Sequence, residues 1–163
     1  MEAEAHTRSE RLGCSRCGQV RLTTIEQKRS FDVGLETPLV IQVESMGCER
    51  CGRLVKPAAV ARVVALTALR QVAISGRVNG ESFRFMRTTM GLQAKEVAHL
   101  LGLGVGTISR WENDVRDLDP RAWTLLACLA LEYVDGETEP RTRKVLDALR
   151  EPPQAISVLS VRV

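Results

Sequence analysis

The chain has 163 residues, 44% of them hydrophobic and 26% charged, with a net charge of only +3 at neutral pH. No stretch reads as the ~18 apolar residues of a membrane span, and the polar first nine residues do not read as a signal sequence, so a cytoplasmic protein is expected. A charge this close to balance also weighs against strong, non-specific binding to nucleic acid, since that term comes from neutralised phosphates.

In chain order, residues 1–12 have the composition of a disordered leader. Two knuckles of one form follow, Cys14-Ser15-Arg16-Cys17-Gly18 and Cys48-Glu49-Arg50-Cys51-Gly52. Two residues between each pair let both sulfurs reach one tetrahedral ion, and the glycine permits a turn that aims backbone N–H groups at the thiolates. In a reducing compartment such pairs read as metal ligands rather than structural disulfides. Four thiolates close the coordination sphere, so one structural zinc per chain is expected on Cys14, Cys17, Cys48 and Cys51. A zinc ribbon over 13–56 would contain a strand from Gln19 to Glu26, with Val20, Leu22 and Thr24 on one side. A second strand lies in the Leu39–Val43 run, with turn chemistry at Asp32-Val33-Gly34 and Phe31 as core between them. A ribbon of this size cannot fold unaided. Metal-free protein should therefore lose the N-terminal fold and keep the C-terminal one.

From Pro57 to Ser75 the apolar spacing predicts a helix, and Ser75 to Gly80 reads as a hinge, making 57–80 a linker. Residues 81–150 then read as five short helices. Asn79 or Ser82 caps the first, which Gly91 ends. Gln93–Leu101 has Val97, Leu100 and Leu101 inward and Ala98 at a close approach, with His99 on the solvent side. After the Gly102-Leu103-Gly104 turn, Val105–Asn113 packs through Val105, Ile108 and Trp111. Helices over 121–133 and 141–150 open on acidic residues and prolines, Cys128 reads as buried core, and 151–163 is a tail. The fold class is α+β: a small zinc ribbon followed by an all-α helix-turn-helix domain.

A helix pair joined by a glycine turn is common, so the exposed residues decide its use. Thr107, Ser109, Arg110 and Asn113 face outward beside Gly106 and are types that touch bases or phosphates; Arg110 can grip guanine O6 and N7 with two hydrogen bonds. Lys95 and Arg87 are candidate phosphate anchors, and Gln93 stands at the start of the first helix of the pair. The plain alternative for each is a solvated helix face. Between Glu81 and Asp119 five basic residues stand against six acidic ones, which leaves open a protein-interaction module that reads no DNA. A thiol-disulfide enzyme rests on Cys-x-x-Cys alone, and no other catalytic constellation is visible.

With both halves placed, the chain resembles the MqsA-type antitoxins, which join a YgiT-type zinc finger to a Xre/Cro-type helix-turn-helix. The two knuckles and the run Leu100 to Asn113 carry the likeness. The resemblance implies a bacterial DNA-binding antitoxin, with a zinc domain that holds an RNA-cleaving toxin and a C-terminal domain that dimerises and represses its own promoter on double-stranded DNA. It implies zinc ligation by Cys14, Cys17, Cys48 and Cys51 and base reading by Arg110. The chain departs from the pattern at Gly106, where relatives often have asparagine, and at Gln93-Ala94, where many have Thr-Gln.

Overall fold

The structure is a computed structural model and describes residues 14, 16–18, 21–35, 37–136 and 142. Two strands, β1 (Leu22–Phe31) and β2 (Leu39–Cys48), pair as an antiparallel sheet. In β2 the period of two is plain: Leu39, Ile41, Val43 and Ser45 are half-buried, while Val40, Gln42, Glu44 and Met46 are exposed. β1 departs from the expected register. Thr24 is exposed and Ile25, Gln27 and Phe31 are half-buried, so the inner face falls on odd positions beyond Leu22. Gly47 supplies the reason: a Cβ there would lie 2.1 Å from Ile25 Cδ1, so Ile25 fills the space above a residue without a side chain. A slip of one residue would put that isoleucine on the wrong face.

Five helices follow: α1 (Pro57–Ile74), α2 (Gly80–Thr89), α3 (Ala94–Leu101), α4 (Val105–Glu112) and α5 (Pro120–Asp135). α1 corrects one expectation. Its 18 residues carry a mean hydropathy of 1.4 with only Arg62 and Arg70 charged, so a helix of span length and composition is present after all. Valine, alanine and leucine on both faces raise the average. Val64, Ala68, Leu69, Val72 and Ala73 form the buried stripe, whereas Val63 and Ile74 are exposed.

The helix ends follow local chemistry. The Asn79 side chain accepts from the Ser82 N–H at 2.8 Å and caps α2. Gly91 ends that helix at φ +75°, a left-handed conformation that glycine adopts without steric cost. The Glu96 carboxylate accepts from the Gln93 N–H at 2.6 Å at the start of α3. Asp119 caps α5 through the Arg121 N–H, with Pro120 at the first turn.

Contacts divide the chain into two compact units, one with residues 1–30 and 40–64, the other with 31–39 and 65 onward. These boundaries differ from the 13–56, 57–80 and 81–150 read from sequence. The hairpin tip belongs with the helices because Val33, only 1% exposed, joins their core, with Phe31, Leu35 and Leu39 packed against it. The second half of α1 supplies Leu69, Val72 and Ala73 to the same core. Ser75 to Gly80, expected as a hinge, is pinned inside this unit. The Asn79 Nδ2 donates to the Gly34 carbonyl at 2.8 Å, and the buried Ser82 hydroxyl donates to the Arg77 carbonyl at 2.9 Å. Trp123 Nε1 in turn donates to Ser82 Oγ at 3.0 Å.

Two further expectations meet the structure at α5. Its buried stripe is Ala122, Trp123, Leu126, Ala127, Leu129 and Ala130, and Cys128 falls off it and is exposed, not buried. The expected helix over 141–150 lies outside the described residues except for Thr142, whose N–H and hydroxyl donate to the Glu132 carboxylate at 3.0 and 2.8 Å. The leader and the tail also lie outside them.

Candidate metal centre and nucleic-acid interface

Each knuckle is a turn closed by its own glycine. Gly18 and Gly52, at φ +69° and +68°, donate their N–H groups to the Cys14 and Cys48 carbonyls at 2.8 Å. That curl leaves the intervening amides aimed at the first sulfur of each pair. The Cys14 thiol is pulled from 9.0 to about 6, chiefly by the Arg16 N–H and then that of Cys17, against the opposing effect of burial. Cys48 is lowered in the same way, the Cys51 N–H leading. Both are thereby biased toward thiolate, the form that binds metal.

The four sulfurs converge from chain positions 31 to 37 residues apart. Cys14 and Cys51 Sγ lie 3.5 Å apart, Cys17 and Cys48 3.4 Å, and Cys17 and Cys51 3.7 Å, with all four inside 4.8 Å of one another. A tetrahedral ion bonded to sulfur at ~2.3 Å needs S···S edges of about 3.8 Å. The donor set fits such an ion with little movement. Cys14 and Cys48 are buried and the other two half-buried, so the cluster is closed on one side and reachable on the other.

The second candidate site is the α3–α4 pair. Gly102, at φ +68°, ends α3 and turns the chain through Leu103 and Gly104 into α4. Ile108 and Trp111, 0% and 4% exposed, face α4 inward, and Phe83 of α2 meets the Trp111 ring edge-on at 5.9 Å. A Cβ on Gly80 would lie 1.9 Å from the Trp111 carbonyl oxygen, so α2 and α4 approach backbone to backbone.

Ser109, Arg110 and Asn113 are exposed, Thr107 is half-buried, and Lys95 on α3 and Gln93 just before it are exposed. Asn113 Nδ2 donates to the Ser109 carbonyl at 2.7 Å. Two positions depart from expectation. Val105, expected in the core, is 49% exposed, because Ile108 and Trp111 already occupy the inner face and Val105 begins the helix at its rim.

Arg87 does not present a free guanidinium. Its Nε and Nη2 bond the two Glu112 oxygens at 2.5 and 2.9 Å, and its Nη1 donates to the Leu92 carbonyl at 2.8 Å. The pair is only 12% and 9% exposed. One side chain thus fastens α2 to the end of α4 and to the residue before the α3 cap. Sequence reasoning missed Glu112 as the partner; the signal was a carboxylate directly after the buried Trp111 on a helix meeting an arginine of another.

Neither the curated proteins nor the solved structures compared with the chain include a match. A family profile does, over residues 12–131, and it is described as the antitoxin component of bacterial toxin-antitoxin system, MqsA. That span takes in both knuckles, the whole hairpin, α1 to α4 and α5 as far as Leu131, so the chain belongs to the MqsA antitoxin family.

Proposed function

We propose that this chain is a cytoplasmic antitoxin that binds its toxin through a zinc-held ribbon and represses its own promoter as a homodimer on double-stranded DNA. Family membership across both units carries the reading. It is supported at the ribbon by four converging thiolates, for which zinc is the expected ion, held structurally and one per chain. With the sphere closed by protein ligands, no position remains for catalysis, and convergence of all four sulfurs favours ligation over a redox pair.

At the helices the reading is supported by α4, whose outward face presents Ser109 and Arg110 while Ile108 and Trp111 hold it to the core. Arg110 reads guanine, Thr107, Ser109 and Asn113 reach base edges or phosphate, and Lys95 and Gln93 steady the backbone. Arg87 becomes a positioning residue rather than a phosphate anchor. A cleft lined by Asp32, Glu81, Asp114 and the Arg87-paired Glu112, with Arg84 the basic residue among them, repels phosphate through the other three carboxylates and orients the duplex away from that side. A dimer would place its two α4 helices about one turn, ~34 Å, apart.

Mobility shifts against the upstream DNA test the reading. Arg110→Ala is expected to cost about 1 to 3 kcal/mol at one base position and to relax the preference there. An equal loss on all sequences would mark Arg110 as a phosphate contact. A second reading, an interaction module without DNA affinity, is favoured by the acidic cleft and by Ala94 and Gly106. Co-purification with a toxin and no operator binding at moderate salt would select it.

A further inference from the structure

We propose that Val105 determines sequence specificity by packing its isopropyl group against the C5 methyl of a thymine in the operator. The inference rests on the DNA-reading role of α4 and adds a base contact to it. Val105 is the first residue of α4 and is 49% exposed, although the helix has a well-filled inner face at Ile108 and Trp111. Its neighbours on the chain are both glycines, and a Cβ on either Gly104 or Gly106 would meet nothing within 4 Å. The valine side chain therefore has no side chain on either adjacent residue to screen it from an approaching duplex.

Helix formation does not account for valine at this place, since β-branched residues are mediocre helix formers and this one caps nothing. In a helix-turn-helix the N-terminal residues of the second helix reach the base edges. An isopropyl group can make no hydrogen bond there, and the thymine methyl is the apolar feature that the major groove displays. Ser109 lies one turn further along the same exposed flank, so a polar contact and an apolar one would fall on neighbouring base pairs.

The test replaces each thymine of the footprinted operator, one at a time, by deoxyuridine, which removes the methyl and keeps the pairing. Full-length protein and Val105→Ala are titrated by fluorescence anisotropy. At one position deoxyuridine should weaken the wild-type chain about fivefold and leave Val105→Ala unaffected, with thermal unfolding of the variant unchanged. Indifference of the wild-type chain to every replacement overturns the proposal, as does a penalty that persists in Val105→Ala. Absence of any operator binding, with Arg110 making no difference, would instead remove the DNA-reading role itself.

Discussion

Stripping the zinc proposed for the four-cysteine cluster with a chelator is expected to unfold the ribbon and to weaken the helical unit as well. A two-stranded hairpin is marginal on its own, and structural zinc contributes roughly 10 to 16 kcal/mol of apparent free energy at neutral pH. The sequence led us to expect an independent C-terminal domain. Yet Val33 at the hairpin tip sits in the helical core and the half-buried Phe31, Leu35 and Leu39 pack against it, with Phe31 edge-on to Phe85 at 5.9 Å. Of these only Val33 is fully buried, and a side chain so placed contributes about 1.5 to 3 kcal/mol.

Once β1 and β2 no longer hold the tip in register, part of that contribution disappears. Helical circular dichroism should persist at 25 °C while its melting midpoint falls by about 10 °C, at 4 to 8 °C for each kcal/mol lost. Replacing Cys14 and Cys17 by serine should reproduce the shift without chelator. A midpoint indifferent to both treatments would mean that the tip docks without the ribbon behind it.

Glu112→Ala is expected to be the most damaging single change among the helices. It leaves the Arg87 guanidinium nearly buried with two donors unmatched, and removing one partner of a buried pair costs about 3 to 5 kcal/mol. Arg87→Met should cost a similar amount. The two changes together, as Arg87→Met with Glu112→Ala, should be markedly less harmful than their sum, since neither charge is then stranded. Urea unfolding of the four proteins gives the coupling directly, and purely additive losses would show that the pair is not acting as one unit. On the DNA-reading role proposed for α4, operator affinity should fall further in Glu112→Ala than the lost stability explains, because the pair sets where α4 stands relative to α2 and to the start of α3.

Much of this was legible in the chain. Paired cysteines with following glycines fix both knuckles, and Gly91, Gly102 and Asp119 mark helix ends by local chemistry that tertiary structure did not override. What periodicity could not supply were facts about partners from elsewhere in the chain. Ile25 faces inward because Gly47 lies opposite, Arg87 is committed because Glu112 arrives from α4, and Val33 is buried because helices cover what looked like a simple turn. Val105 and Cys128 were misjudged for one reason: each is apolar and sits in an apolar run, but the helix turns it away from a face already filled.

Asn79 gives its acceptor to the Ser82 amide and its donor to the Gly34 carbonyl, and a Cβ on Gly34 would lie 2.5 Å from the Asn79 oxygen. Aspartate at that position could serve the first role and not the second, and no side chain can be added across from it. Positions 34 and 79, forty-five residues apart, are thus expected to be inherited as a pair. Where descendants of this lineage alter one, selection should be found to have altered the other.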